Sequence, residues 1–459
     1  MRPTSSPSTR TPVDPAATVG AAIAADGLAR PPVALYVHVP YCLSVCPYCD
    51  FVVYAAGTAG HRREREGLAG GGPLDAYLHA LLVELDLRAD LLDALFGLPG
   101  SPGLPGPPDS PGPPGAPALR RPLESVYLGG GTPSLLPPAA VERLLGLVHA
   151  RFGLAAGAEV TIEANPGARD RGDLAGFHAA GVTRLSLGAQ SLDAAELRAL
   201  GRRHAPDDVR AALALASRAG FAECSVDLLY DVPGQTPASW RRTLEGALEL
   251  GVDHVSAYAL TLDDPDVEGL TGPDGDHLPV SRGARAWRER ARPAQDDDRA
   301  ADLYEIADEV LGAAGLAWYE ISNWARPGHE SRHNLAYWRR EPYEALGVGA
   351  HAFDGGSGRR WNGARVERYL AALLPEDGAP RLPPGGSEGL SEDLATRERA
   401  ILGLRLAAGL APDLVADPRV APAADWALRA GLAEETGGGG IRLTRRGRLL
   451  SNEVFARLL

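Results

Sequence analysis

Cys42, Cys46 and Cys49, three of the chain's four cysteines, share one short loop with the spacing C-x3-C-x2-C. They follow directly on an apolar run, Val33 to Val39, that reads as a buried strand. Its alternation sends Leu35, Val37 and Val39 to one face and Tyr36 and His38 to the other. The thiols therefore stand at a strand's C-terminal end, where α/β sheets and barrels place their sites. Three thiolates so close together can share one inorganic centre. An iron–sulfur cluster is normally held by four, so three would leave one iron of a four-iron cube open. The competing arrangement is a Cys3His zinc knuckle with His38 or His61 as fourth ligand, although zinc sites usually come as paired C-x2-C elements.

The rest of the composition narrows the partners. With 459 residues, 45% of them hydrophobic, the chain can bury a large core in two or three domains. No apolar run approaches the roughly 20 residues that span a bilayer. The mildly apolar stretch Val19 to Ala29 contains Asp26 and lacks a basic flank, so no signal peptide is expected. A net charge of -13 argues against a nucleic-acid partner held through phosphates. The local basic patch Arg442, Arg445, Arg446 and Arg448 reads as a solvated face. There is no lysine, which excludes a Schiff-base or P-loop lysine. Four cysteines, three of them clustered, do not make a disulfide framework, and a reducing cytosol is the expected compartment.

Along the chain, residues 1–31 read as a disordered leader. Leu78, Leu81, Leu82, Leu85, Ala89 and Leu92 recur at helical spacing. The Pro/Gly-rich stretch 97–119 reads as a polyproline-like surface insertion. Short β-like runs then alternate with helical patterns: strands at Ser125–Gly129, Glu159–Glu163, Thr183–Gly188, Glu223–Leu229 and His254–Ala259, helices near 138–151, 172–180, 206–219 and 237–250. With the first strand this gives six βα units, which are most economically joined in parallel. The expected fold is α/β, an open, partial (β/α)6 barrel over 32–262 with its site at the C-terminal strand ends. A polar insertion follows at 263–299. An accessory α/β segment covers 300–385, with a helix at 300–313, a strand at Leu316–Glu320 and an aromatic-rich loop through Trp338. Residues 386–459 read as a small winged-helix-like module, opening on a helix whose apolar face carries Leu394, Ile401, Leu404 and Ala408.

Successive strands end in polar clusters. Gly129-Gly130-Gly131-Thr132-Pro133 ends the second, and consecutive glycines let backbone N–H groups approach an anion or carboxylate. Glu163 at the end of the third can accept from hydroxyl or ammonium groups. The fourth offers Gln190, with Arg202 a dozen residues on, and the fifth carries Asp227. Each alone could be a cap or a satisfied core group; their recurrence at one end of the sheet points to a cofactor. Cys224, inside a strand, reads as a small buried hydrophobe.

The cysteine spacing resembles the radical S-adenosylmethionine (radical SAM) signature, and further motifs make the likeness specific. Tyr319-Glu320-Ile321-Ser322-Asn323-Trp324-Ala325, Pro327-Gly328, His333-Asn334-Leu335-Ala336-Tyr337-Trp338 and Gly347-Val348-Gly349-Ala350-His351 look like the family of oxygen-independent coproporphyrinogen III oxidases and their heme chaperone relatives. The resemblance implies that Cys42, Cys46 and Cys49 hold a 4Fe–4S cluster whose open iron is chelated by S-adenosylmethionine. It implies that Tyr36, Tyr48, Gly130, Gly131, Thr132, Glu163, Gln190, Arg202 and Asp227 contact that cofactor. The oxidases carry a fourth cysteine two residues after the third; here that position is Phe51. Cys49-Asp50-Phe51 and the H-N-x-x-Y-W motif instead resemble the chaperone subgroup, in which His333 would ligate heme and Trp324, Tyr337 and Trp338 would line an apolar cleft. Asp231 departs from the glycine usual in relatives and should reshape the turn before Pro233. The implied function is a heme chaperone that passes heme to acceptor apoproteins, with an electron donor if the cluster is reduced and membrane contact only through a partner. Whether the cofactor is cleaved, and so whether the chain is an enzyme, stays open. The alternatives are an oxidase that decarboxylates coproporphyrinogen III and a zinc-stabilised interaction module.

Overall fold

A computed structural model describes residues 30–56, 72–97 and 121–459. The expected leader falls outside these residues except for its last two positions, as do His61 and, Gly97 apart, the insertion 97–119. Strand β1 (Ala34–Val39) runs into β2 (Tyr41–Cys42), which pairs with β3 (Tyr54–Ala55) and closes the cysteine loop. Helix α1 (Pro73–Phe96) and β4 (Leu123–Gly130) come next. The alternation continues through α2 (Pro138–Phe152), β5 (Leu154–Ala164), α3 (Leu174–Ala179), β6 (Arg184–Gln190), α4 (Ala194–Ala199) and α5 (Pro206–Ala219). It closes with β7 (Glu223–Tyr230), α6 (Pro237–Glu249) and β8 (His254–Ala259). The six strands β1, β4, β5, β6, β7 and β8 are neighbours in that order and all parallel. Parallel neighbours require crossovers, and helices supply them.

The sheet continues at both edges beyond these six strands. After α7 (Arg282–Ala291) and α8 (Asp297–Ala313), β9 (Ala317–Glu320) and β10 (Asn323–Ala325) add antiparallel to β8. Beyond α9 (Arg332–Trp338), β11 (Tyr343–Leu346) returns to the far side of β1 as a seventh parallel strand. Then β12 (His351–Phe353), β13 (Gly358–Asn362), α10 (Val366–Leu373) and β14 (Gly385–Gly389) extend that edge. The result is an open twelve-stranded sheet ending at β14 and β9. Sequence patterning does not reveal β11, because a four-residue strand without alternation is recognisable only from its remote partner. No helix among the described residues is long and apolar enough to cross a membrane.

The C-terminal stretch packs a separate small core. It holds α11 (Glu392–Arg405), α12 (Pro412–Val415), α13 (Ala421–Arg429), the antiparallel pair β15 (Ala433–Glu435) and β16 (Ile441–Leu443), α14 (Arg445–Leu449) and α15 (Ser451–Phe455). Leu404 is buried there, whereas Leu394, expected on the same face, is 45% exposed. The arginine patch is a solvated face only in part: Arg442, Arg445 and Arg446 are exposed, and Arg448 is not. Arg448 is buried, pairs with Asp308 of α8 at 2.8 Å and lies over the Trp318 ring, and Arg445 reaches the same carboxylate at 2.7 Å. Arg448, with Arg445 beside it, docks the module onto α8 through a partner carboxylate remote in sequence.

Leu35, Val37 and Val39 pack with Tyr77, Leu81 and Leu85 of α1, all buried. The same face of α1 also buries a pair that the apolar periodicity hides. Glu84, with no exposure, accepts from Asn362 Nδ2 (2.7 Å), Tyr369 Oη (2.7 Å) and Gly347 N (2.8 Å), and pairs with Arg88 at 3.4 Å. One carboxylate thus ties α1 to α10 and to the ends of β11 and β13. Removing one member of a buried ion pair leaves an uncompensated charge, worth about 3–5 kcal/mol. Glu84→Ala is expected to lower the urea-unfolding free energy by that amount, and Glu84→Gln, which keeps the acceptor oxygen, by less.

Candidate functional site

The end of β4 meets the base of the cysteine loop at very short range. A Cβ on Gly131 would lie 2.8 Å from Pro40 C and from the Val39 and Tyr41 oxygens, and one on Gly130, at φ +106, would strike the His38 ring. The backbone crosses there only because both residues are glycine. Their N–H groups are engaged inside the protein: Gly131 N donates to Val39 O (2.8 Å) and Gly130 N to Glu163 Oε2 (3.0 Å). The glycines thus seat the loop, and the expected approach of their N–H groups to an anion is not available in this arrangement.

This seating carries Thr132 to the thiols. Its hydroxyl donates to Cys42 Sγ (3.3 Å) and accepts from Asn165 Nδ2 (3.0 Å). Asn165 Oδ1 accepts from Arg202, which also bonds Gly188 O (2.7 Å) and reaches Cys46 Sγ (3.4 Å). A chain of hydrogen bonds therefore joins Cys42 to Cys46 through the ends of β4 and β5. Asn165 follows Glu163 by two residues and could have been included from sequence on position alone. All three thiols are free and partly buried. Burial pushes Cys42 up to about 11 and raises Cys49 further. Thiolates here need compensating positive charge, which Arg202 provides in part; irons bound to the sulfurs would supply the rest. The donor set fits an iron–sulfur centre: three thiols on one loop, two of them hydrogen-bonded by groups that favour the thiolate.

A zinc knuckle fits less well. His38 Nε2 lies 2.8 Å from Val52 O and Nδ1 lies 3.0 Å from Tyr36 Oη. A carbonyl only accepts, so the Nε2 proton goes to Val52 and the Tyr36 hydroxyl donates to Nδ1. Both ring nitrogens are occupied. Burial brings His38 down to about 4, which keeps it neutral. Among the described residues no three His, Cys, Asp or Glu side chains converge where a single ion could sit.

Below the loop, the inner face of the sheet holds the remaining candidates. Tyr127 Oη donates to Glu163 Oε1 (2.8 Å), and Ser186 Oγ donates to Asp227 Oδ2 (3.1 Å). Burial and then the Asp227 carboxylate push Glu163 up to about 7, and burial also raises Asp227. Gln190 closes β6 at φ +65. Tyr48 packs its ring on Trp287 at 6.3 Å. The cysteines, Thr132, Arg202 and Tyr48 are thus gathered at one end, with Tyr36, Glu163 and Asp227 just beneath.

His333 is not among them. It is buried, with Nδ1 2.9 Å from Ser125 Oγ and Nε2 2.8 Å from Tyr337 Oη. Its backbone N–H and that of Arg332 donate to the buried Glu159 carboxylate, both at 3.0 Å. Ser125, near the start of β4, is the register partner of Glu159 in the middle of the longer β5. Gly130 lies five residue steps beyond Ser125 in β4, about 16 Å along the strand. Helix α9 thus plugs the end of the barrel opposite the cysteines. Tyr127 lies between, stacked on His333 at 5.2 Å and on Tyr36 at 6.2 Å. The expected aromatic cleft is dispersed: Tyr337 contacts His333, Trp338 lies under Arg405, and Trp324 is buried against Tyr304 and Asp308. Cys224 packs partly buried beside the main core, as a small apolar group would.

Residues 116–247 match the model of the Radical SAM superfamily. The chain is 37% identical over 428 residues to "Heme chaperone HemW" of Mycobacterium tuberculosis (strain ATCC 25618 / H37Rv), covering 93% of this chain and 95% of that protein. It is 35% identical over 321 residues to "Heme chaperone HemW" of Escherichia coli (strain K12), covering 70% of each. Among solved structures it is similar to coproporphyrinogen III oxidase (HemN) from Escherichia coli, with a TM-score of 0.68 at 22% identity over 94% of this chain and 90% of that one. At that identity the likeness concerns the fold.

The raised Glu163 carboxyl makes the cofactor-free protein pH-sensitive. A group whose folded-state value lies above its ordinary one stabilises the fold fully below the ordinary value and loses that contribution as pH rises through the folded one. The window here runs from about 4.5 to about 7. Urea unfolding across it should show wild type losing stability relative to Glu163→Gln; parallel curves would mean that Glu163 titrates normally.

Proposed function

We propose, for a chain that belongs to the HemW family of heme chaperones, that it binds heme and passes it to heme-accepting apoproteins from a radical SAM scaffold. The observation that carries this reading is the match to a relative named as a heme chaperone over nearly the whole of both chains. Phe51 supports it: this residue stands where the oxidases of the resemblance carry a further cysteine, and it is 62% exposed beside the loop.

A radical SAM domain implies a 4Fe–4S cluster and S-adenosylmethionine. We assign the cluster to Cys42, Cys46 and Cys49, and the cofactor to the surroundings of Tyr36, Tyr48, Gly130, Gly131, Thr132, Glu163, Gln190, Arg202 and Asp227. When bound, the cluster supplies one-electron chemistry. The protein's own part is to hold the loop, balance thiolate charge through Arg202 and Thr132, and keep two carboxylates and a neutral His38 beneath it. Gly130 and Gly131 contribute by letting the strand end approach rather than by donating N–H bonds.

His333 is proposed as the heme ligand, in a conformation other than the one described above. Burial brings its imidazole down to about 3, so it is neutral, as iron coordination requires. Both nitrogens already have hydroxyl partners, so iron can reach Nε2 only when Tyr337 gives way. Arg405 over Trp338, at 4.2 Å, adds a hold on α9 from the C-terminal module. Because α9 and the cysteine loop lie at opposite ends of the barrel, heme binding should not depend on the cluster.

Heme titration followed by absorbance tests this. Wild type and a Cys42/Cys46/Cys49 triple-alanine variant should both give a heme band, and His333→Ala should lose it. Tyr337→Phe removes one competing hydrogen bond, worth about 1 kcal/mol, and should bind heme roughly five-fold more tightly. Unchanged binding by His333→Ala would move the ligand elsewhere. Absence of heme binding in every variant would defeat the chaperone reading and send the cluster-loaded protein to an anaerobic coproporphyrinogen III decarboxylation assay.

A further inference from the structure

The polar stretch 263–299 reads from sequence as an insertion without a role, and its contacts give it one. Helix α7 within it lays Arg288 against the back of the cysteine loop. This arginine is 4% exposed. Its Nε donates to Pro47 O (3.2 Å), and its Nη2 donates to Tyr48 O (3.3 Å) and Cys49 O (2.9 Å). Its Nη1 turns back to Asp263 O, at the start of the same stretch. One planar guanidinium thus holds three consecutive carbonyls of the arc between Cys46 and Asp50. Because peptide units are rigid planes, fixing three of them in a row fixes the shape of the arc.

The neighbouring contacts anchor this hold. Trp287 Nε1 donates to Ala199 O (3.0 Å) while its ring covers Tyr48, above a small apolar cluster of Leu200, Leu229, Val232, Leu260 and Leu262. At the far end, Arg299 Nε donates to Asp231 Oδ1 at 2.9 Å. Asp231 sits at φ +59, a left-handed conformation that suits glycine, and its carboxylate is nearly buried. Asp231 therefore secures the strap, and the ion pair offsets the unfavourable backbone conformation.

We infer that residues 263–299 form a strap that holds the cluster loop in shape, with Arg288 as its positioning residue. The inference rests on the radical SAM reading above. Arg288 acts in two ways. The fork keeps Cys46 and Cys49 at a fixed separation, which slows loss of iron. Its positive charge, added to that of Arg202, favours the more reduced, more negative form of a cluster. A lysine would keep the charge without the three-carbonyl geometry.

The test uses the full chain, reconstituted anaerobically, as wild type, Arg288→Gln and Arg288→Lys. Iron retention under bathophenanthroline disulfonate and the midpoint potential by EPR-monitored titration are read on each, with circular dichroism of the apoproteins as a fold control. Arg288→Gln is expected to lose iron several-fold faster and to titrate at a lower potential. Arg288→Lys should lose iron faster while staying near the wild-type potential. If Arg288→Gln fails to fold, Arg288→Lys carries the test alone, and iron loss at the wild-type rate would overturn the inference. Equal retention and equal potential in both variants would also overturn it. A wild type that takes up no iron–sulfur cluster would defeat the radical SAM reading itself.

Discussion

The end of β4 lies against the base of the cysteine loop with less than an ordinary side chain's clearance, and the geometry of the site follows from that contact. With a Cβ at Gly130 or Gly131 the strand would have to retreat from His38 and Pro40. Thr132 would then lose Cys42, and the chain of hydrogen bonds through Asn165 and Arg202 to Cys46 would open. Gly347, at φ +97, makes a similar approach on the other side of β1, where a Cβ would meet His38 O and Tyr77 Oη at 2.6 Å. The loop is therefore seated between two strand ends brought unusually close, and its thiols owe their positions to backbone packing as much as to side-chain bonds.

Parallel pairing gives the barrel two chemically different ends. At one, the segments that follow β4, β5 and β6 bring Thr132, Asn165 and Arg202 to the cysteines. At the other, α9 is fixed by the Glu159 carboxylate and by Ser125. The tyrosines 36 and 127 fill the layer between, with Glu163 raised toward neutrality beside them. The two ends belong to one scaffold, with the cysteine loop at one and His333 at the other. A coupling between them would have to pass through this packed layer or through the C-terminal module that holds Trp338.

The regions that looked least informative turn out to be the fasteners. Arg288 and Asp231 strap the loop, Glu84 bolts α1 to the late strands, and Arg448 docks the C-terminal module on Asp308. Each is a charged residue buried with a partner far away in the chain. Buried charges are tolerated only when paired, so such contacts are specific in the folded state and invisible in local sequence.

The cysteine spacing, the alternation of β1, and the recurrence of polar residues after successive apolar runs determine a parallel α/β sheet with a site at one end. Local periodicity carries that information, because alternation and helical spacing are set within a few residues. The motifs also carry the family resemblance that the similarity to HemW proteins bears out. Tertiary structure alone decided that β11 completes the sheet beside β1, that the glycines serve close approach, and that an apparent insertion grips the loop. It also decided that His333 faces away from the cysteines with both nitrogens engaged. Each of these depends on which residues meet across hundreds of positions, and that is fixed by packing.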